Sequence, residues 1–110
     1  MVFVDTRLLA VIERLPGWHG RYFDSANMTF GHYEFDKGAT IHAHSHEQEE
    51  VWQVIEGELE VTVAGETLRA GPGTVAIVPP HTEHRVVALT AGKAIVVDWP
   101  VRAIMVSATP

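Results

Sequence analysis

Residues 38–57 read GATIHAHSHEQEEVWQVIEG, and the fold is decided by how this stretch is read. Between Gly38 and Gly57 it carries His42, His44, His46 and Glu50. His44 and His46 stand two apart, so on a β-strand their side chains leave the same face. A carboxylate follows four residues later, which gives three metal-ligand atoms from one local segment. Nitrogen and oxygen donors of this kind suit Fe, Mn, Ni, Cu or Zn rather than Ca or Mg.

A fourth donor, His84, lies in a later stretch, GTVAIVPPHTEHRVV, which starts at Gly73. The two stretches have the spacings Gly38-X5-His44-X-His46-X3-Glu50-X6-Gly57 and Gly73-X5-Pro79-X4-His84. This pair resembles the two signature motifs of the cupin superfamily, here at 38–57 and 73–88. Two positions depart from the family pattern: His81 stands where the second motif usually has Gly, and Ala88 where it usually ends in Asn. Neither position is a ligand in the family. The resemblance implies an all-β fold, an antiparallel jelly-roll β-barrel (a double-stranded β-helix). It also implies one divalent transition metal on His44, His46, Glu50 and His84, with positions left open for water or substrate. Glu49 is the competing carboxylate, and counting back from Gly57 favours Glu50; otherwise Glu47, Gln48 and Glu49 read as a solvated acidic face.

Length and composition agree with this. At 110 residues the chain has room for a single domain, 1–110. Its hydrophobic content of 46% and charged content of 20% are ordinary for a globular protein. A net charge of −6, with two lysines and six scattered arginines, argues against nucleic acid or an anionic membrane as partner. The apolar runs are too short to span a bilayer. The N-terminal stretch lacks a basic region and is broken by Asp5 and Arg7, so it does not read as a secretory signal. With no cysteine there are no disulfides and no thiolate ligands, and the expected location is cytoplasmic.

Outside the motifs the pattern is of short strands. Residues 1–17 fit a short strand or a turn of helix, with Val2–Val4 as a candidate edge strand. From Trp18 to Phe35 the chain is aromatic-rich and alternates around a turn at Asp24–Asn27. Strands are then expected at 41–46, 51–55, 59–64, 67–69, 74–78, 85–89 and 94–99, with Gly- and Pro-containing turns between them. The strands around Val75–Val78 and Ile95–Val97 are apolar on both faces, which predicts cover from a second subunit in a homodimer.

Four further residues bear on function. His42 shares the strand parity of His44 and His46, so it is a candidate extra ligand, substrate hydrogen-bonder or proton carrier. Trp52, at inward parity after Glu50, is a candidate pocket wall. Asp98, at the end of the last strand, and Arg102 after it are a candidate proton-transfer carboxylate and a candidate cation for an anionic substrate. Their setting, Val97-Asp98-Trp99-Pro100-Val101-Arg102, is similar to a series in small cupins that open unsaturated uronate sugars, with shorter spacing here. His81 is expected to be exposed, and His19 and His32 to be ordinary surface or core-edge residues. The leading functional expectation is a metal-dependent enzyme acting by Lewis-acid catalysis on a small oxygen-rich metabolite, a keto or sugar acid. The alternatives are an Fe(II)-dependent dioxygenase and a non-catalytic small-ligand-binding module.

Overall fold

Alternating side chains and frequent turn residues become ten antiparallel strands among the described residues, 2–103, of a computed structural model. They are β1 (Ile12–Leu15), β2 (Trp18–Asp24), β3 (Thr29–Phe35), β4 (Thr40–His44), β5 (Glu49–Glu56), β6 (Leu59–Val63), β7 (Glu66–Ala70), β8 (Val75–Val78), β9 (His84–Ala88) and β10 (Gly92–Trp99). One sheet has the order β1-β2-β3-β10-β5-β8 and the other β4-β9-β6-β7. This is the jelly-roll arrangement the motifs imply. Each expected strand from 41 onward appears within a few residues of its predicted place.

The inner faces of the two sheets share a gradient from apolar to polar. Along β5 the buried side chains are Val54, Trp52 and Glu50; along β10 they are Ala94, Val96 and Asp98; along β9 they are Ala88, Val86 and His84. Cross-strand register sets Val54 against Ala94, Trp52 against Val96 and Glu50 against Asp98. The closed end is therefore a packed apolar core, and the ionisable groups meet at the other end, the mouth. Trp18 anchors the wall between them. Its ring lies 5.5 Å from Phe35 and 5.7 Å from Trp52, edge-on to the latter, and its indole N–H donates to the Thr40 carbonyl at 3.1 Å.

One sequence expectation is corrected here. Val2–Val4 is exposed irregular chain rather than an edge strand. It leads into a 3-10 turn at Thr6–Leu8, capped by the Asp5 carboxylate, which accepts from the Arg7 N–H. The first strand is instead β1, paired with β2. The two strands read as apolar on both faces also differ from one another. On β10 the outer face is half-buried, and Ile95 borders a groove that Thr6 and Arg7 also line, so the N-terminal segment gives it partial cover. On β8, by contrast, Val75 and Ile77 stay exposed at 48% and 61%.

The family departure at His81 has a backbone explanation. His81 has φ 59°, the left-handed region that a glycine enters freely and a Cβ-bearing residue enters at a cost. Its N–H donates to the His46 carbonyl at 2.8 Å, which locks the second-motif loop against the first-motif loop. The glycine-type conformation is thus kept with a histidine in it. Replacing His81 by Gly is expected to stabilise the fold by about 0.5–1 kcal/mol, read as a raised midpoint in urea unfolding, with metal uptake unchanged. A lowered midpoint would show that the imidazole contributes more than its backbone costs.

Candidate metal centre

His44, His46, Glu50 and His84 converge at the mouth of the barrel. The three imidazoles form one set whose ligand atoms lie within 4.8 Å of one another, and His46, Glu50 and Asp98 form an overlapping set. His84 pairs with His44 across β4 and β9, with ring centroids 4.3 Å apart. Glu50 is 3% exposed and His84 2%. Glu49 is exposed, so the structure brings Glu50, not its neighbour, to the cluster.

The hydrogen bonds determine which atoms are left to bind. The Nδ1 atoms of His44, His46 and His84 contact the carbonyls of His42, Gln48 and Thr82 at 2.8, 3.1 and 2.9 Å. A carbonyl only accepts, so each Nδ1 carries the hydrogen and each Nε2 presents a bare lone pair. The Nε2 atoms of His46 and His84 are buried without a hydrogen-bond partner. They face Glu50 oxygens at 3.5 and 3.1 Å. Glu50 is itself held by the Trp52 indole N–H at 2.8 Å and lies 3.4 Å from an Arg102 nitrogen. Acceptors therefore face acceptors, an arrangement that needs a cation, a proton or a metal ion, between them. Metal–ligand bonds of about 2.1 Å would set neighbouring donors roughly 3.0–3.4 Å apart, close to these separations. The donor set fits a first-row transition metal.

The acid–base properties follow from burial and contacts. Burial pushes the Glu50 carboxyl up, but His46, His84, Asp98 and Trp52 around it outweigh that and hold it well below the usual range. Asp98 goes the opposite way, raised to about 8 by burial and by the Glu50 charge. Burial pulls His84 down, yet Glu50 and the Thr82 carbonyl leave it raised; His44 is lowered, chiefly by burial.

The other sequence candidates fall into place around this cluster. A bulge in β4 between Ile41 and His44 breaks simple alternation, so Ile41 and His44 both line the cavity and His42 is exposed. His42 contributes its carbonyl, and its ring stands 5.5 Å from that of His44. Trp52 and Arg102 line the cavity, as does Glu50. Asp98 stands just behind this wall, 3.8 Å from Arg102. Gln48, expected on a solvated face with Glu47 and Glu49, is buried and donates to the Val101 carbonyl at 3.3 Å. Thr29 accepts the Arg102 N–H at 2.8 Å. Together these two bonds bring the tail back over the mouth. Of the bland histidines, His19 is a partly exposed partner of Asp36 at 3.1 Å, His32 packs edge-on to Phe23, and His81 is exposed. Sequence reasoning missed Arg14, Tyr22 and Tyr33, which also line the cavity. The tyrosines were detectable as aromatic strand residues, whereas Arg14 lies in the segment that could not be assigned.

Comparison with known proteins identifies the family. A family model for the cupin domain matches residues 31–100, and the chain belongs to the cupin family. It is 33% identical over 69 residues to an uncharacterized protein of Streptomyces coelicolor, a match over 63% of this chain and 66%, just under two thirds, of that one. Among solved structures it is similar to an RmlC-like cupin from Shewanella frigidimarina, at 28% identity and a TM-score of 0.89 over 96% of both chains. It is also similar to KdgF from Halomonas sp., at 27% identity and a TM-score of 0.87, covering 96% of this chain and 99% of that one. A fold-level likeness reaches an oxalate decarboxylase of Bacillus subtilis, at 19% identity and a TM-score of 0.78 over 88% of this chain and 29% of that one.

His84→Ala is expected to weaken metal binding at least about a hundredfold while the barrel stays folded, as read by elemental analysis and circular dichroism. About one retained ion per chain would remove His84 from the site. Since protons compete for the same lone pairs, the wild-type protein should bind Zn2+ roughly tenfold or more weakly at pH 6 than at pH 8. A pH-independent affinity would exclude imidazole ligation.

Proposed function

We propose that this cupin is a metal-dependent enzyme acting on a small oxygen-rich acid, a keto or sugar acid, with the ion held by His44, His46, Glu50 and His84. The observation that carries the reading is the pair of buried imidazole lone pairs turned onto an acceptor-only carboxylate, with a cation and a second carboxyl beside them. When bound, a divalent ion would supply Lewis-acid polarisation of a substrate oxygen. The remaining work falls to the chain. Arg102 offers a fixed positive charge to a substrate carboxylate. Asp98, whose oxygen lies within 4.8 Å of the donor atoms of His46 and Glu50, holds a proton next to the reacting group. Trp52 keeps the Glu50 carboxylate in one orientation and, with Trp18, closes the floor to water. The resemblance of residues 97–102 to a series in cupins that open unsaturated uronate sugars supports the same substrate class.

Asp98→Asn tests the proton role. With unsaturated uronates and short keto acids as the substrate panel, the variant should keep its metal and lose about a hundredfold or more in kcat. Unchanged turnover would return Asp98 to a structural role.

The reading includes a cytoplasmic homodimer, for which exposed Val75 and Ile77 are the apolar surface that a second copy would cover. Sedimentation of wild type and Ile77→Asp should show a dimer converted to monomer. A monomeric wild type would discard the dimer.

A further inference from the structure

We propose that the Tyr33 hydroxyl is the uncharged hydrogen-bond donor for the one carboxylate the cavity admits, so that the substrate enters by a single carboxylate end and keeps the rest of its length outside. The inference rests on the metal-centre reading above. It adds to that reading the size of the group that enters and a further residue that holds it.

The cavity lined by Tyr22, Tyr33, Trp52, Glu50, His84 and Arg102 encloses about 40 Å³, space for roughly three water-sized groups. A carboxylate, one carbon and two oxygens, fills that space. His44 and Arg102, which also line it, are partly exposed, so the space opens to solvent and the chain of a longer acid has a way out.

Tyr33 reaches this space held by three other rings. It is stacked on Trp52 at 5.9 Å with the planes 7° apart, and it stands edge-on to Trp18 at 5.9 Å and to Tyr22 at 5.6 Å. A phenol packed in this way has little freedom left to lose when it bonds a ligand.

The second tyrosine decides which proton is free. Tyr22 lies opposite Gly31, and Tyr33 opposite Gly20, across β2 and β3. A Cβ at Gly20 would sit 2.6 Å from a Tyr22 ring carbon and from its hydroxyl, so the glycine makes the space in which that ring lies. From there the Tyr22 hydroxyl donates to the Tyr33 hydroxyl at 3.0 Å. That bond uses the Tyr22 proton and one Tyr33 lone pair, which leaves the Tyr33 proton for an acceptor in the cavity. A hydroxyl that accepts one bond donates a stronger one. Burial, then Tyr22 and Glu50, push the Tyr33 hydroxyl well up, so it remains a donor at neutral pH. A carboxylate entering beside Glu50 meets an acceptor that can only repel it. It therefore needs donors on both oxygens: the ion and Arg102 serve one, and Tyr33 the other.

The test uses protein reconstituted with Zn2+ and, as probe, formate, the smallest carboxylate. Binding is read by calorimetry and by the near-ultraviolet tyrosine difference spectrum. Formate should bind and perturb the tyrosine band. Tyr33→Phe should weaken it about tenfold or more and abolish the perturbation, with Zn2+ stoichiometry unchanged. Tyr22→Phe keeps the Tyr33 proton, so affinity should stay within roughly threefold of wild type and the perturbation should persist. Propionate and succinate should bind within roughly threefold of each other, because the second carboxylate stays outside. The proposal is overturned by no formate binding to the Zn2+ form, by wild-type affinity in Tyr33→Phe, by equal losses in the two tyrosine variants, or by a tenfold preference for succinate. Failure to bind Zn2+ sinks the metal reading instead. The tyrosine difference spectrum of metal-free wild type and Tyr33→Phe with formate then decides Tyr33 separately.

Discussion

The mouth of this barrel depends on one constraint: acceptor atoms that face each other in a buried place need a cation between them. Three backbone carbonyls take the Nδ1 hydrogens of His44, His46 and His84, which fixes the tautomers and turns bare nitrogens inward. Glu50 meets two of them with a carboxylate that has nothing to donate. Such a group is costly to bury, and breaking its contacts one at a time costs more than the set as a whole contributes. The Trp52 indole and the Arg102 guanidinium are therefore as much a part of the site as the ligands. They let Glu50 stay ionised and fixed whether or not an ion is bound.

The same constraint explains the layout of the strands. On β5, β9 and β10 the inward residues run apolar, apolar, ionisable, and in all three the ionisable one lies at the mouth. Packing of Val54, Ala94, Ala88 and Leu59 at the closed end sets the register, and a slip of one residue would send every ionisable group to the outer face. Stability and chemistry are thus separated along the strands but coupled through register. Gly57, at the end of the first motif, shows the coupling: its φ is 79°, and a Cβ there would collide with the Ala91 carbonyl oxygen, so the β5–β6 turn accepts only glycine.

Much of this was legible in the sequence because it obeys period-two alternation and short-range turn chemistry. The clustered donors, the inward Trp52 and the strands from Ile41 to Trp99 all follow from spacing. Where alternation breaks, the reading broke with it. His42 was assigned the inward parity of His44, but the β4 bulge gives that parity to Ile41 instead. Gln48 looked like part of an acidic surface, and only the folded tail, with the Val101 carbonyl above it, shows why an amide is buried there. Residues 1–17 were ambiguous because a 3-10 turn, an irregular segment and a bulged strand share too few residues to establish any period.

The bulges that defeated the reading also supply the chemistry. A regular strand can offer a cavity only every second side chain, so each polar group there displaces a potential core residue. The irregularities in β1 and β4 relax that limit. Leu15 and Ile41 continue the apolar lining while Arg14 and His44 enter the same cavity from the same strands. A small barrel can therefore hold several ionisable groups at its mouth without hollowing out its core. Its functional residues are then to be sought where its strands depart from regularity.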